Sequence, residues 1–238
     1  MRLYFNGCSH TRGDDLDAPE RQSWPAILAK KTGCSFLNDA VSGNANDQII
    51  YRTIKHANQF DKFYIAWTYI ERFTRYRSDN NHVVNFNLHL SNTLYHKDPN
   101  FINYGKIHYS TWHNQLYSFK LWLQNIILLQ RYLESLNKPY VMINADNNNT
   151  DRWTTSWTNF NSSVQSLLCF DCMNDNQLYQ EYQEIQQLLT QINFEHYIGW
   201  NNWWLTKDQE QFPTGATGHL LEQGHEHIAE YILKHDKN

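Results

Sequence analysis

Two segments at opposite ends of the chain carry residues that can do chemistry together. Near the start, Asn6-Gly7-Cys8-Ser9-His10-Thr11-Arg12-Gly13 follows the apolar run Leu3-Tyr4-Phe5 and sets a serine in a glycine-punctuated turn. A strand that ends in such a turn and feeds a helix holds a hydroxyl clear of the sheet, with backbone N–H groups beside it for a developing oxyanion. Serine is a weak nucleophile without a base. Near the end, Thr217-Gly218-His219-Leu220-Leu221-Glu222-Gln223-Gly224-His225 opens the last helical segment and supplies an imidazole. Serine attack assisted by a histidine base is the chemistry of acyl-bond hydrolysis.

The elements that must position these groups alternate short apolar runs with longer helical periodicities, as in an α/β layer fold with a mostly parallel sheet. Leu3 to Asn6 reads as the first strand. A helix follows with Trp24, Ile27, Leu28 and Ala29 at helical spacing, Ser23 as N-cap, Pro25 at the first helical position and an end near Gly33. Ser35–Asn38 is the second strand. Beyond the polar loop Ser42–Asn46, Asp47 is the expected cap of a helix to about residue 58. Lys62 to Thr68 is the third strand. Residues 69 to about 112 read as an inserted cap or rim. From His113 to Leu136 an amphipathic helix groups Leu116, Phe119, Leu123, Ile126, Ile127, Gln130 and Leu133 on one face. Tyr140–Asn144 is a fourth strand, Gln177–Gln191 a helix, Tyr197-Ile198 strand-like, and the last helix runs from about Glu222 to Leu233. No repeat or linker divides residues 1–238, which read as one domain.

Composition narrows the partners. Charged residues make up 18% and the formal net charge is −4, so no broad basic surface exists to hold nucleic-acid phosphates. The 15% aromatic content combines with a mean hydropathy of −0.71, so polarity comes largely from Asn, Gln, His and Tyr and suits hydrogen bonding to neutral ligands. No run approaches the roughly 18 apolar residues of a membrane span, and a soluble, cytoplasmic chain without a membrane partner is expected. The 4 cysteines do not form a disulfide framework, and Cys169-Phe170-Asp171-Cys172 alone is a weak metal or redox signal.

Taken with their order, these residues resemble the SGNH/GDSL hydrolase superfamily, which places a serine after its first strand and a histidine just before its last helix. Gly7-Cys8-Ser9-His10-Thr11 resembles the first block, with Cys8 where an aspartate is usual. Asn38-Asp39-Ala40-Val41-Ser42-Gly43-Asn44 resembles the second, and His219 stands five residues before Gly224-His225 as in the last. The resemblance implies a flavodoxin-like three-layer α/β/α sandwich and a cofactor-free serine hydrolase. Ser9 would be the nucleophile and His219 the base. The N–H groups of Ser9 and Gly43 would form the oxyanion hole, with Thr68, Asn44 or Asn46 as further donors.

Two positions depart from the family pattern. Its aspartate three residues before the histidine is Ala216 here, so a backbone carbonyl, a nearby hydroxyl, or one of Asp14, Asp15 and Asp208 must orient His219. Its third-block asparagine is replaced within Ala66-Trp67-Thr68-Tyr69, where Thr68 is the nearest match. The Trp67-Thr68 pair with Glu71-Arg72-Phe73 resembles a little-characterised branch encoded by tailed phages, which would put the chain in a host cytoplasm or on a virion. Arg72, Trp67 and His10 are candidate substrate-binding residues.

Other chemistries compete. Ser9 can be a structural cap, and Cys8 a nucleophile, although neighbouring side chains diverge and Cys8 then faces the core. His219, His225 and His227 do not share a helix face and lack H-E-x-x-H spacing, so no metal is expected. Tyr76, Tyr109, Trp112, Trp153 and Trp157 are candidates to line a cleft. The expected substrate is a small-molecule or glycan ester. The alternative is a catalytically decayed binding or virion protein, which can be homo-oligomeric.

Overall fold

The computed structural model describes residues 1–76, 83–86, 99–109, 114–145, 155–165, 174–200 and 212–237. Strand β1 (Arg2–Asn6) leads through helix α1 (Ser9–Arg12) and helix α2 (Pro19–Gln22) into α3 (Trp24–Thr32). Strand β2 (Ser35–Asn38) is followed by α4 (Asn46–His56) and then by β3 (Lys62–Trp67). The region expected to be a cap contains an antiparallel pair, β4 (Phe73–Tyr76) and β5 (Val83–Phe86), and helix α5 (Pro99–Ile107). Helix α6 (Gln115–Ser135) precedes strand β6 (Tyr140–Asn144). Helices α7 (Trp157–Gln165) and α8 (Asp175–Leu189), a 3₁₀ turn (Phe194–His196) and α9 (Glu222–His235) complete the described elements.

The central sheet has the order β2-β1-β3-β6 and is parallel throughout, with Leu3 opposite Phe36 and Lys62, and Ile65 opposite Met142. A parallel bridge from Met142 to Tyr197 extends its β6 edge. Both faces are covered. Tyr4, Phe63, Ile65, Trp67, Tyr140 and Met142 pack toward α4, α6 and α8, while Leu3, Phe5, Tyr64, Ala66, Val141 and Ile143 pack toward α3 and α9. Every residue of β3 is buried, because helices on both sides leave it no solvent face. The architecture is a three-layer α/β/α sandwich. Such sheets bind ligands beyond the carboxyl ends of their strands where the winding direction reverses, here between β1 and β3.

Several local expectations need correction. Pro25 is the second helical residue of α3, because Trp24 already has helical geometry; Ser23 occupies the cap position but makes no capping bond. His225, on α9, instead accepts the Trp24 N–H through Nδ1 at 3.1 Å, so the first turn of α3 is capped from another helix. Asp47 is not the cap of α4: Ala45 holds that position, and the Asp47 carboxylate accepts from the Thr74 hydroxyl at 2.6 Å and the Thr74 N–H at 3.2 Å. On α6, Leu129 and Trp122 are buried and Ile127 is only partly so. Trp157 packs on the α4–α6 core instead of lining a cleft.

Candidate active site

Ser9 begins α1 directly after the last turn of β1, with Cys8 as N-cap, and is 7% exposed. The preceding Gly7 allows this turn, because a Cβ there would lie 2.4 Å from the Thr11 hydroxyl oxygen. Asn6 fixes the turn from below. Its buried amide donates to the Ile49 carbonyl at 2.9 Å and the Thr53 hydroxyl at 3.1 Å, while its oxygen accepts the Gly7 N–H at 2.8 Å. Cys8 is fully buried on the α3–α9 side.

The second loop lies beside this turn. Asp39 N–H donates to the Phe5 carbonyl at 2.8 Å and Val41 N–H to the Gly7 carbonyl at 3.3 Å. Asn44 is 1% exposed, and its amide donates to the Gly7 carbonyl at 3.2 Å, so it ties the two loops together. Arg12 donates to the Ser42 hydroxyl at 2.9 Å, and Ser42 donates to Asp14, closing a second tie. Gly43 sits at φ 71°, in the left-handed region that favours glycine. Among the described residues, no acceptor takes the N–H of Ser9 or of Gly43.

His219 is reached from the same end of the molecule. Its ring lies 4.7 Å from that of His10, the residue after Ser9. The carboxylate beside it belongs to Asp15. Asp15 Oδ2 accepts from the Thr217 hydroxyl at 2.7 Å, the Thr217 N–H at 2.9 Å and the His219 N–H at 3.3 Å. The Thr217 hydroxyl oxygen lies 2.8 Å from His219 Nδ1, whereas Asp15 Oδ2 is 3.5 Å from that nitrogen. A threonine hydroxyl has one proton, and an ionised carboxylate only accepts. The proton of Thr217 therefore goes to Asp15, so Thr217 must accept from His219, which places the imidazole hydrogen on Nδ1 and leaves Nε2 as a base.

Local backbone geometry supports this contact. Asp15 is held at φ 70°, an uncommon conformation for a residue with a side chain. A Cβ on Gly215 would come within 2.4 Å of the Asp15 Cβ, so only glycine lets the carboxylate reach Thr217. Burial pushes the Asp15 carboxyl up, but the hydrogen bonds from Thr217 and His219 outweigh it and hold it below the usual carboxylate range. Burial lowers His219, the charge of His10 lowers it further, and Asp14 and Asp15 oppose both without reversing the shift.

Other expected site residues are placed differently. Trp67 is fully buried in the α4–α6 core and cannot touch a substrate. Asn46 is no oxyanion donor: its two amide hydrogens go to the Thr68 and Tyr69 carbonyls, and its oxygen accepts the Thr68 N–H at 3.0 Å. Thr68 has no exposed surface, and its hydroxyl oxygen accepts from Arg72. Arg72 also reaches the Asn44 carbonyl at 3.5 Å and stacks on Tyr69. Its role here is to brace the loops after β2 and β3. Asp14 is engaged with Ser42 and Arg12, and Ala216 is exposed. Asp208, Trp112, Trp153 and the Cys169–Cys172 pair lie outside the described residues, as does the side chain of Tyr76. Tyr109 donates to the Glu71 carbonyl at 3.2 Å.

His225 is buried, and burial lowers it to about 3, so it is neutral at ordinary pH. His227 packs on Phe212. Among the described residues no three His, Cys, Asp or Glu side chains are grouped to hold a metal ion, and no helix is long and apolar enough to cross a membrane. Sequence reasoning missed Asn6 and Gly215, whose roles depend on Ile49, Thr53 and Asp15; the only sequence signal was a polar residue ending an apolar strand.

No protein-family model matches the chain. No curated protein matches it. Among solved structures it is similar to TesA, with 11% identity, a TM-score of 0.49, and 100% of this chain and 98% of that one covered. It is also similar to a member of the lipolytic protein G-D-S-L family from Veillonella parvula, with 14% identity, a TM-score of 0.45, and 98% and 97% coverage. A third similar structure is a catalytic mutant of Axe2, an acetylxylan esterase from Geobacillus stearothermophilus, with 14% identity, a TM-score of 0.44, and 100% and 94% coverage.

Proposed function

We propose that the chain is a serine hydrolase of ester bonds. The observation that carries this reading is the relay from Asp15 through the Thr217 hydroxyl to His219 Nδ1, with the ring of His10, the residue after Ser9, 4.7 Å from that imidazole. A structural serine in a turn has no need of an imidazole held in the basic tautomer. Ser9 Oγ attacks the ester carbonyl and passes its proton to Nε2, while Asp15, acting through Thr217, stabilises the imidazolium. The N–H groups of Ser9 and Gly43 receive the oxyanion. Collapse expels the alcohol, which takes the proton from Nε2. Water, deprotonated by the same nitrogen, then cleaves the acyl-enzyme and frees Ser9. The alcohol portion that best suits the polar, aromatic composition is a carbohydrate. The Asp15–Thr217–His219 contacts favour this reading over a decayed binding protein, because they fix the imidazole tautomer as well as the loop.

The direct test is treatment with a fluorophosphonate followed by intact-mass and peptide analysis. Stoichiometric phosphonylation of Ser9 is expected. An unlabelled protein, under conditions where another serine hydrolase reacts fully, would overturn the proposal.

The pH profile gives an independent check. His219 works only when neutral, and its environment lowers its pKa, so kcat/KM should rise with pH through a midpoint below the ordinary histidine value of 6.5. His10→Gln removes one of the lowering influences and should move that acid limb to higher pH. A limb that stays in place or moves down would show that His219 does not feel His10.

A further inference from the structure

A cleft of about 290 Å³ opens between the segment after β3 and helix α6, close to the lower end of the roughly 300–1,000 Å³ typical of ligand sites. Its walls include Asn46 and Arg72, the residues that brace Thr68 and Asn44, so it adjoins the loops of the candidate site. Across from them, α6 contributes Ser118, Leu121, Trp122 and Asn125. This face departs from the rest of the helix. Elsewhere α6 turns Leu116, Phe119, Leu123, Ile126 and Leu133 into the core, yet here it presents a hydroxyl and an amide one above the other across about two turns. Both are half-buried, and among the described residues neither side chain has a hydrogen-bond partner. Both are partly open to solvent and are therefore available to pair with a ligand that enters the cleft.

The lining fixes the chemistry of what can satisfy them. Two carboxylates, Asp47 and Glu71, are balanced by two guanidinium groups, Arg72 and Arg75, so no net charge selects an ion. Burial lowers His108, with Arg75 adding to the shift, so the charged form of that ring is disfavoured. Trp122 is only 1% exposed and Phe73 is packed against His108 and Arg75, so the accessible aromatic surface is that of Tyr117, 62% exposed at the rim. Neutral hydrogen-bonding groups beside one exposed aromatic ring suit a ligand with hydroxyls around an apolar ring face. We propose that this cleft binds an uncharged pyranose unit, and that it holds the alcohol portion of the substrate. The second part of this proposal rests on the ester-hydrolase reading.

The test combines binding and turnover on the full chain. Unacylated xylotriose, cellotriose, maltotriose and chitotriose are titrated by calorimetry into wild type, Ser118→Trp, which fills the cleft, and Asn125→Leu, which removes an amide at nearly constant volume. p-Nitrophenyl acetate, which lacks a sugar, reports the reaction centre in the same preparations. At least one trisaccharide should bind wild type, with affinity about tenfold or more weaker in both variants, while p-nitrophenyl acetate turnover stays within about twofold. Binding of none of the four, or equal binding by all three proteins, would overturn the pyranose site. Loss of p-nitrophenyl acetate turnover in both variants would overturn the assignment to the alcohol portion. Sugar binding by a wild type that hydrolyses no ester would leave the pyranose site standing and reject the hydrolase reading; hydrolysis without sugar binding would do the reverse.

Discussion

Ser9→Ala is expected to lower kcat for ester hydrolysis by about 10⁶-fold, and Asp15→Asn by about 10³ to 10⁴-fold. The reason for the second figure is the lost charge. Asp15 Oδ2 accepts from the Thr217 hydroxyl and from the Thr217 and His219 N–H groups, so an asparagine keeps its oxygen toward these three donors and Thr217 still accepts from Nδ1. Geometry is kept while the negative charge that stabilises the imidazolium is lost. Groups that act as one unit are not additive, so the double variant should be no slower than Ser9→Ala alone. Steady-state and single-turnover kinetics on one chromogenic ester measure all three. Activity of Asp15→Asn within about threefold of wild type would assign the orienting role to another group, and Thr217→Ser, which keeps the hydroxyl, should stay near wild type.

The largest expected effect on stability lies at the far end of the sheet. Lys62 and Asp236 have side chains only 5% and 8% exposed, and both carboxylate oxygens accept from Nζ at 2.7 Å. Tyr64 donates to the same carboxylate at 2.7 Å, and burial, with Asp236 next, pushes its phenol well above the usual tyrosine range. Asp236 also receives α9 as its C-cap, so this cluster fastens the helix to β3. Asp236→Ala removes a charge partner from a buried cation and should cost about 3–5 kcal/mol. For a chain of this size that corresponds to a fall in Tm of about 6–20 °C. Lys62→Met combined with Asp236→Leu should recover most of the loss, because it leaves no buried charge behind. Thermal and urea unfolding followed by circular dichroism would check both. A loss below about 1 kcal/mol for Asp236→Ala would mean that water reaches the pair.

What the sequence determined by itself were the four strands of the central sheet and the longer helices that cover it. Ser35–Asn38 and Tyr140–Asn144 are strands with the boundaries their apolar runs predict, and the parallel sandwich follows from strands alternating with amphipathic helices. That Ser9 follows the first strand and His219 precedes the last helix was legible because each setting is defined by its own neighbours: a turn after a strand, and a loop before a helix. Face assignment was not legible. Phe63, Ile65 and Trp67 alternate with Tyr64 and Ala66, but both sets are buried, since helices cover both sides of β3.

Tertiary structure alone decided which carboxylate lies beside His219 and which donors are already taken. Asp14 and Asp15 are equivalent as letters. Asp15 is the one of the two that hydrogen-bonds there, through its left-handed backbone and the room Gly215 leaves, across 204 residues of sequence from His219. Likewise Asn44, Asn46 and Thr68 have suitable groups for an oxyanion hole, and the structure spends them on the Gly7, Thr68 and Tyr69 carbonyls and on Arg72. Local sequence specifies which groups a segment offers. Which of those groups remain available depends on the partners that distant segments bring, because a buried polar group is taken up by the first acceptor or donor the fold places against it.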